Sequence, residues 1–428
     1  MMRLLVPLFF FGCILLQAQK YQVNQDRLEK RIFELAKFGL QENGETERVA
    51  FSDADVAAQQ WMVQTLTNLG LEVHIDFAGN IIGKRKGKKP SLKSISFGSH
   101  IDRVPNGGNY DGCVGSMASL EILEVLKENN IQTKHPLEII IFSNEEGGVM
   151  GSRAIAGHLG EDALKVVNST GYSMGEGIMR LGGDTTRIAE VARKKDEITA
   201  FLELHIEQGG TLEKENIQIG IVEGIVGLKW WDVEFTGFSN HAGTTPMNAR
   251  QDALLAAAKF IVAVNEITNS FDGAQVGTVG KIKAEPGAPN VIPGKVVTSL
   301  EIRDLSSEVI EKVYQAIKSK GEEIAEASNV QIEFRALNTT ADPAIMTARI
   351  QDTIGAAAKK LGLSTKRMPS GAGHDAQDMA LIAPTGMIFV PSKGGISHSP
   401  KEFTSAEDMA NGANVLLQTI LALDKKLK

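Results

Sequence analysis

Four short apolar runs constrain the fold of this chain more than any other feature of its sequence. Ser94–Phe97, Leu137–Phe142, Leu202–Ile206 and Met387–Val390 are too short for helices, and each ends in glycine or in a polar cluster. Such runs read as strands buried on both faces of a sheet. Helical spacing fills the intervals: Leu28, Ile32, Leu35 and Phe38 in a helix closed by Gly39, a second helix over Ser52–Leu69 closed by Gly70, and a third over Val114–Leu126. Strand alternating with helix predicts an α/β fold, a mostly parallel sheet with helices on both faces. The middle of the chain differs. Gln218–Phe235 and Val276–Asp304 are strand-like while Arg250–Asn265 and Ser306–Ala327 are helical, which predicts a smaller α+β unit inserted at 217–335. The larger domain is then 19–216 together with 336–428, a division that 428 residues accommodate easily.

The first 18 residues stand apart. Arg3 precedes an apolar run from Leu4 to Leu16, and Gln17-Ala18-Gln19 follows, which predicts a signal peptide over 1–18 and an exported chain, periplasmic or secreted. No lipid anchor is expected at Cys13, because Phe10 and Phe11 precede it and the apolar run continues through Ile14–Leu16. Nothing later reaches the ~20 apolar residues of a membrane span. Lys and Arg number 45 against 52 Asp and Glu, a net charge of −7, which argues against a nucleic-acid partner. The two cysteines, Cys13 and Cys113, exclude a disulfide framework and CxxC metal sites, so any metal must be held by histidine and carboxylate.

The polar clusters follow the expected strands, where an open α/β sheet places its ligand crevice. Gly98-Ser99-His100-Ile101-Asp102 is followed nine residues later by Asp111, behind Gly107-Gly108. Alternation puts His100 and Asp102 on one side, where a carboxylate can fix the tautomer of a metal-bound imidazole. Leu137–Phe142 ends in Ser143-Asn144-Glu145-Glu146, so that one acid can bind metal while the other reaches a water. Glu203-Leu204-His205-Ile206-Glu207-Gln208-Gly209 and Ser397-His398-Ser399 complete the set. This nitrogen and oxygen mix suits Zn²⁺, and accepts Mn²⁺, Co²⁺ or Ni²⁺. Gly171-Tyr172-Ser173-Met174-Gly175 matches a serine nucleophile elbow, but polar Asn168-Ser169-Thr170 stands where that motif needs a buried strand.

Taken together, GSHID with GGNYDG, SNEEG, ELHIEQG, HAGTTPMNARQDAL, PNVIPG, SGAGHDAQ and FVPSKGGISHSP resemble the amidase/carbamoylase branch of the dinuclear zinc aminopeptidase-like hydrolases, over residues 25–425 and in the same order. The branch holds N-carbamoyl-L-amino-acid hydrolases, β-ureidopropionases and allantoate amidohydrolases. The resemblance implies two divalent ions per subunit, one on His100, Asp111 and His205 and one on Asp111, Glu146 and His398, with Asp111 bridging. It implies Asp102 as the residue orienting His100, and Glu145 as the general base. It makes the inserted unit a lid and dimerisation domain whose His241 polarises the scissile carbonyl, and gives Asn290 and Arg303 to the substrate's carboxylate, with Gln208 a further substrate contact. Gly373 and His374 would border the substrate. The implied activity is hydrolysis of a carbamoyl or ureido C–N bond in a small anionic substrate, an N-carbamoyl-L-amino acid or allantoate, by a homodimer formed through 217–335. The alternatives are a metallo-aminoacylase or peptidase on simple amides, and a catalytically silent binding protein on the same fold.

Overall fold

The computed structural model describes residues 21–42 and 46–427; the expected signal peptide and Cys13 lie outside the described residues. Two capped helices come first. Asn24 accepts the Arg27 N–H at the start of Gln25–Ala36, and Ser52 accepts that of Asp55 at the start of Asp53–Asn68, each satisfying an orphan donor of a first turn.

A nine-stranded sheet forms the body of the molecule. Its centre is four parallel strands in the order Leu137–Phe142, Ile95–His100, Ala200–Ile206 and Thr385–Val390. All four are buried along their whole length, as the unbroken apolar runs required. Antiparallel partners flank them, Ile81–Arg85 beside Leu137–Phe142 and Ile219–Ile225 beside Thr385–Val390. One face is covered by Gln25–Ala36, Asp53–Asn68, Cys113–Glu128, Ala348–Lys360 and Ala406–Lys426, the other by the helices Met150–Ile155 and Asp375–Ile382. Strand Ile95–His100 runs three residues further than its apolar run, so that His100 is itself a strand residue.

The second sheet has five antiparallel strands, with Gly227–Thr236 and Lys295–Asp304 at its heart. Helices Ala253–Ser270 and Ser307–Ala327 cover one face, burying Trp231, Val233, Phe235, Phe260, Leu300 and Val313 in a core of their own. The boundary differs from the expected 217. Strand Ile219–Ile225 pairs with Thr385–Val390 and Thr365–Ser370 in the large sheet; the chain leaves that sheet between Ile225 and Gly227 and returns at Ala344–Ile345. One residue separates two consecutive strands there, so neither composition nor periodicity marks the crossing.

Candidate metal centre

Parallel strands deliver two buried histidines to one edge of the sheet. His100 closes Ile95–His100, and His205 stands one residue before the end of Ala200–Ile206. In the latter strand Ala200, Leu202, Leu204 and Ile206 enter one core and Phe201 the other; Glu203 and His205 share the parity of Phe201, so the alternation aims acid and imidazole to the same side. Asp111 comes from the loop before helix Cys113–Glu128. Its Oδ1 stands 3.6 Å from His100 Nε2 and 3.2 Å from His205 Nε2, and its Oδ2 is 3.4 Å from His398 Nε2. His398 Nε2 is 3.6 Å from Glu146 Oε2, and His100 Nε2 is 3.6 Å from Glu145 Oε2. The donors form two groups that share Asp111: His100, Asp111 and His205, and Asp111, Glu146 and His398, with ligand atoms within 4.8 Å of one another in each.

The ring orientations suit metal ligation. His205 Nδ1 lies 3.0 Å from the Ile206 carbonyl, which an N–H alone can satisfy, so its lone pair is on Nε2, which accepts the Gly112 N–H at 3.1 Å and stands 3.2 Å from Asp111 Oδ1. His100 Nδ1 is 3.2 Å from the Asp102 carbonyl, while its Nε2 is buried, without a hydrogen-bond partner, and directed at two carboxylate oxygens. That orphaned buried atom in an all-imidazole and carboxylate donor set fits a divalent cation. Electrostatics agree. Burial holds the Glu145 carboxyl well above its usual range, with Asp375, Glu146 and Asp111 adding to the effect against the pull of His100. Burial and Asp111 raise Glu146 to about 7. Burial disfavours charged His100, but Glu145, Asp102 and Asp111 outweigh it and lift the imidazole well above its ordinary value; the bond to Asp111 raises His398 to about 9. So many acids in so little water favour positive charge among them.

The Asp102 carboxylate stands 3.5 Å from His100 Nδ1, but its hydrogen bonds go elsewhere: Oδ1 accepts the Glu145 N–H and Oδ2 the Glu146 N–H, each at 3.2 Å. It therefore holds the two glutamates. Gln208 joins the cluster directly, donating to Asp111 Oδ2 at 2.6 Å, and it also lines a cavity of about 480 Å³ with Arg303, Gly371, Met368 and Phe389. Arg303 reaches that cavity from the smaller unit, held by Glu301 and by the Gly371 carbonyl at 2.7 Å. His374 is buried with its ring centre 4.4 Å from that of His205 and its Nε2 on Ser370 Oγ; Gly373 is exposed beside it. His241 and Asn290 stand apart. His241 pairs with Val291 on a two-stranded ribbon of the smaller unit, and Asn290, just before that ribbon's second strand, accepts the Ala242 N–H at 2.9 Å through its carbonyl; both are exposed, and among the described residues neither side chain bonds to the cluster. Ser173 is spent as a helix cap, its hydroxyl bonded to Glu176.

Four residues around the cluster have no role assigned from the sequence. Glu203 accepts from Ser99 Oγ and the Ala376 N–H; Asp375 is buried with both oxygens unpaired; Glu402 and Ser397 contact the Asp111 loop. Acids in otherwise apolar or buried surroundings were the available signal. Only Glu203, two residues from His205 inside a strand, displays it locally.

The profile of peptidase family M20/M25/M40 matches residues 96–422. The chain is 39% identical to an N-carbamoyl-L-amino acid amidohydrolase of Geobacillus stearothermophilus, over 94% of this chain and 99% of that one. It is also 39% identical to a ureidoglycolate hydrolase of Arabidopsis thaliana, over 96% and 89%. Among solved structures, an amidase of the hydantoinase/carbamoylase family from Burkholderia multivorans superposes with a TM-score of 0.88 at 33% identity, covering 94% of this chain and 98% of that one.

Gly112 sits directly beneath the His100 ring. A Cβ there would lie 2.3 Å from His100 Nε2, and its φ of 63° also disfavours a side chain. Gly112→Ala is expected to displace His100, lowering the metal retained after dialysis and destabilising the fold by roughly 1–3 kcal/mol. Elemental analysis and urea unfolding check this; wild-type values for both would contradict it.

Proposed function

Because the chain belongs to peptidase family M20/M25/M40, we propose that it is a metal-dependent amidohydrolase cleaving the carbamoyl or ureido C–N bond of a small carboxylate-bearing substrate, with release of ammonia and carbon dioxide. The observation that carries this reading is the pair of donor groups sharing Asp111, with Glu145 beside them and outside both. In it, His100, Asp111 and His205 hold one divalent ion and Asp111, Glu146 and His398 a second, Zn²⁺ by donor type, with Mn²⁺, Co²⁺ or Ni²⁺ also accommodated. Bound there, the ions supply Lewis acidity and ease deprotonation of the attacking water. Glu145 takes that water's proton and returns it to the leaving nitrogen, while Asp102 fixes its backbone.

Arg303, with Gln208 and Asn290, takes the substrate's carboxylate, which a planar guanidinium can clamp through two hydrogen bonds; Gly373 and His374 border the same crevice. His241 Nδ1 accepts the Gly243 and Thr244 N–H groups at 3.0 and 3.2 Å. Its proton is therefore on Nε2, ready to donate to a carbonyl oxygen. Because His241 is exposed on the smaller unit, it meets the substrate after closure of that unit or from a partner subunit. A homodimer through the smaller unit belongs to this reading and is supported by the exposed Phe238, Met247, Leu255 and Val262 there. So does export after removal of 1–18. No helix among the described residues is long and apolar enough to cross a membrane.

Two curated relatives are named for an N-carbamoyl-L-amino acid and for ureidoglycolate, and allantoate offers the same carboxylate and ureido groups. Purified, metal-reconstituted mature protein should release ammonia from at least one member of a panel of N-carbamoyl-L-amino acids, allantoate and ureidoglycolate, and lose that activity on chelation. Preference for simple amides would move the assignment to an aminoacylase or peptidase, and inertness across the panel to a binding protein. Glu145→Gln is expected to keep its metal and lose ~10²–10⁴-fold in turnover; metal and activity falling in strict proportion would remove Glu145 from the role of base. Arg303→Ala is expected to raise KM by ~10–100-fold with a smaller change in kcat, the loss of a charge-assisted pair, and an unchanged KM for a carboxylated substrate would dismiss the clamp.

A further inference from the structure

The two donor groups are not equally well held. His100 and His205 are strand residues, buried and locked by neighbouring carbonyls. His398 sits in a loop, its side chain 51% exposed and its backbone at a left-handed φ of 53°, a conformation that a residue other than glycine keeps only when its surroundings enforce it. Four residues on, and bonded to both flanks of His398 through Ser397 and Ser399, stands Glu402, only 4% exposed. The Glu402 N–H donates to the Ser399 carbonyl at 3.0 Å, closing the turn that directly follows His398. Its carboxylate then leaves that turn altogether. Oε1 accepts the N–H groups of Tyr110 and Asp111 at 2.8 and 3.0 Å, and Oε2 lies 2.9 Å from Ser397 Oγ.

Ser397 Oγ is in turn 2.8 Å from Asp111 Oδ2. A hydroxyl has one proton, so it can donate to Glu402 or to Asp111 but not to both at once. Engagement of Asp111 by cations leaves that proton to Glu402 and tightens the contact. The glycine-rich turn is shaped for this acid, since a Cβ on Gly108 would fall 2.3 Å from Glu402 Oε1. One carboxylate thus joins the loop of the shared ligand Asp111 to the turn of His398, across 291 residues of sequence.

We propose that Glu402 is the positioning residue of the more exposed ion, holding Asp111 and His398 at the separation which that ion requires. The proposal rests on the reading of His100, Asp111, Glu146, His205 and His398 as ligands. Removing Glu402 frees the His398 turn but leaves the strand-borne His100 and His205 in place, so the variant keeps the buried ion and loses the other. Outer contacts of this kind typically govern metal affinity by about 10–100-fold.

The test loads the mature protein with Zn²⁺, dialyses it, and reads zinc per chain by atomic emission and affinity by chelator competition. Wild type should keep two ions. Glu402→Ala should keep one, the second site weakened by ~10–100-fold. Glu402→Gln, whose amide offers an oxygen to the two N–H groups and an N–H to Ser397, should keep two. Glu402→Asp has the charge without the reach and should resemble alanine, a second variant should Glu402→Ala not fold. Two tightly held ions in Glu402→Ala or Glu402→Asp would overturn the proposal with the ligand assignment intact, as would equal weakening of both sites. Failure of wild type to bind zinc would overturn the ligand assignment, and the proposal with it.

Discussion

A buried carboxylate that faces three imidazoles organises this molecule. Burial alone would push Asp111 toward its neutral form, yet His100, His205 and His398 hold it well below the usual carboxylate range. Around it lie the buried Asp102, Glu145, Glu203 and Asp375 and the partly buried Glu146, a concentration of negative charge that no apolar core could accept without compensation. Where backbone N–H groups are available the acids use them: Asp102 takes those of Glu145 and Glu146, Glu203 that of Ala376, and Glu402 those of Tyr110 and Asp111. Asp111 has side chains as its principal partners, and those same side chains present lone pairs for cations.

The parallel sheet is what makes such a meeting possible. Strands running the same way end at the same edge, so His100, the Glu145–Glu146 turn after Phe142, His205 and the loop after Val390 converge although they are scattered over 299 positions, from 100 to 398. An antiparallel arrangement would have sent alternate ends to opposite edges. Glu203 reinforces the edge from within. By bonding Ser99 and Ala376 it ties the strand of His100, the strand of His205 and the helix that follows His374 into one block.

What could be read from the sequence is what local pattern encodes. The four apolar runs lie in the four parallel strands, the first two helices form where the apolar spacing put them, and the polar clusters lie at strand ends as expected. What could not be read depends on contacts between distant segments. The crossing at Gly227 is invisible because two strands abut. Glu402 looks like any surface glutamate after a proline until the fold lays it against Gly108 and the Tyr110 and Asp111 amides. Asp102 was legible as a partner of its neighbour His100, whereas its bonds to Glu145 and Glu146, 43 and 44 residues away, required the sheet.

The asymmetry between the two donor groups carries a last consequence for the direction of approach. On the His100 and His205 side the protein is closed by core side chains, and His374 packs edge-on against His205. On the His398 side, Gln208 touches Asp111 and stands 3.4 Å from His398 while also lining the cavity that ends at Arg303. A ligand anchored through its carboxylate at Arg303 therefore meets the Asp111–Glu146–His398 group first, with Gln208 alongside it. In the proposed function the exposed group is the one that faces the substrate, and its exposure is the geometric condition for doing so; that the same loop needs an acid as deeply buried as Glu402 to hold it in place follows from the same requirement.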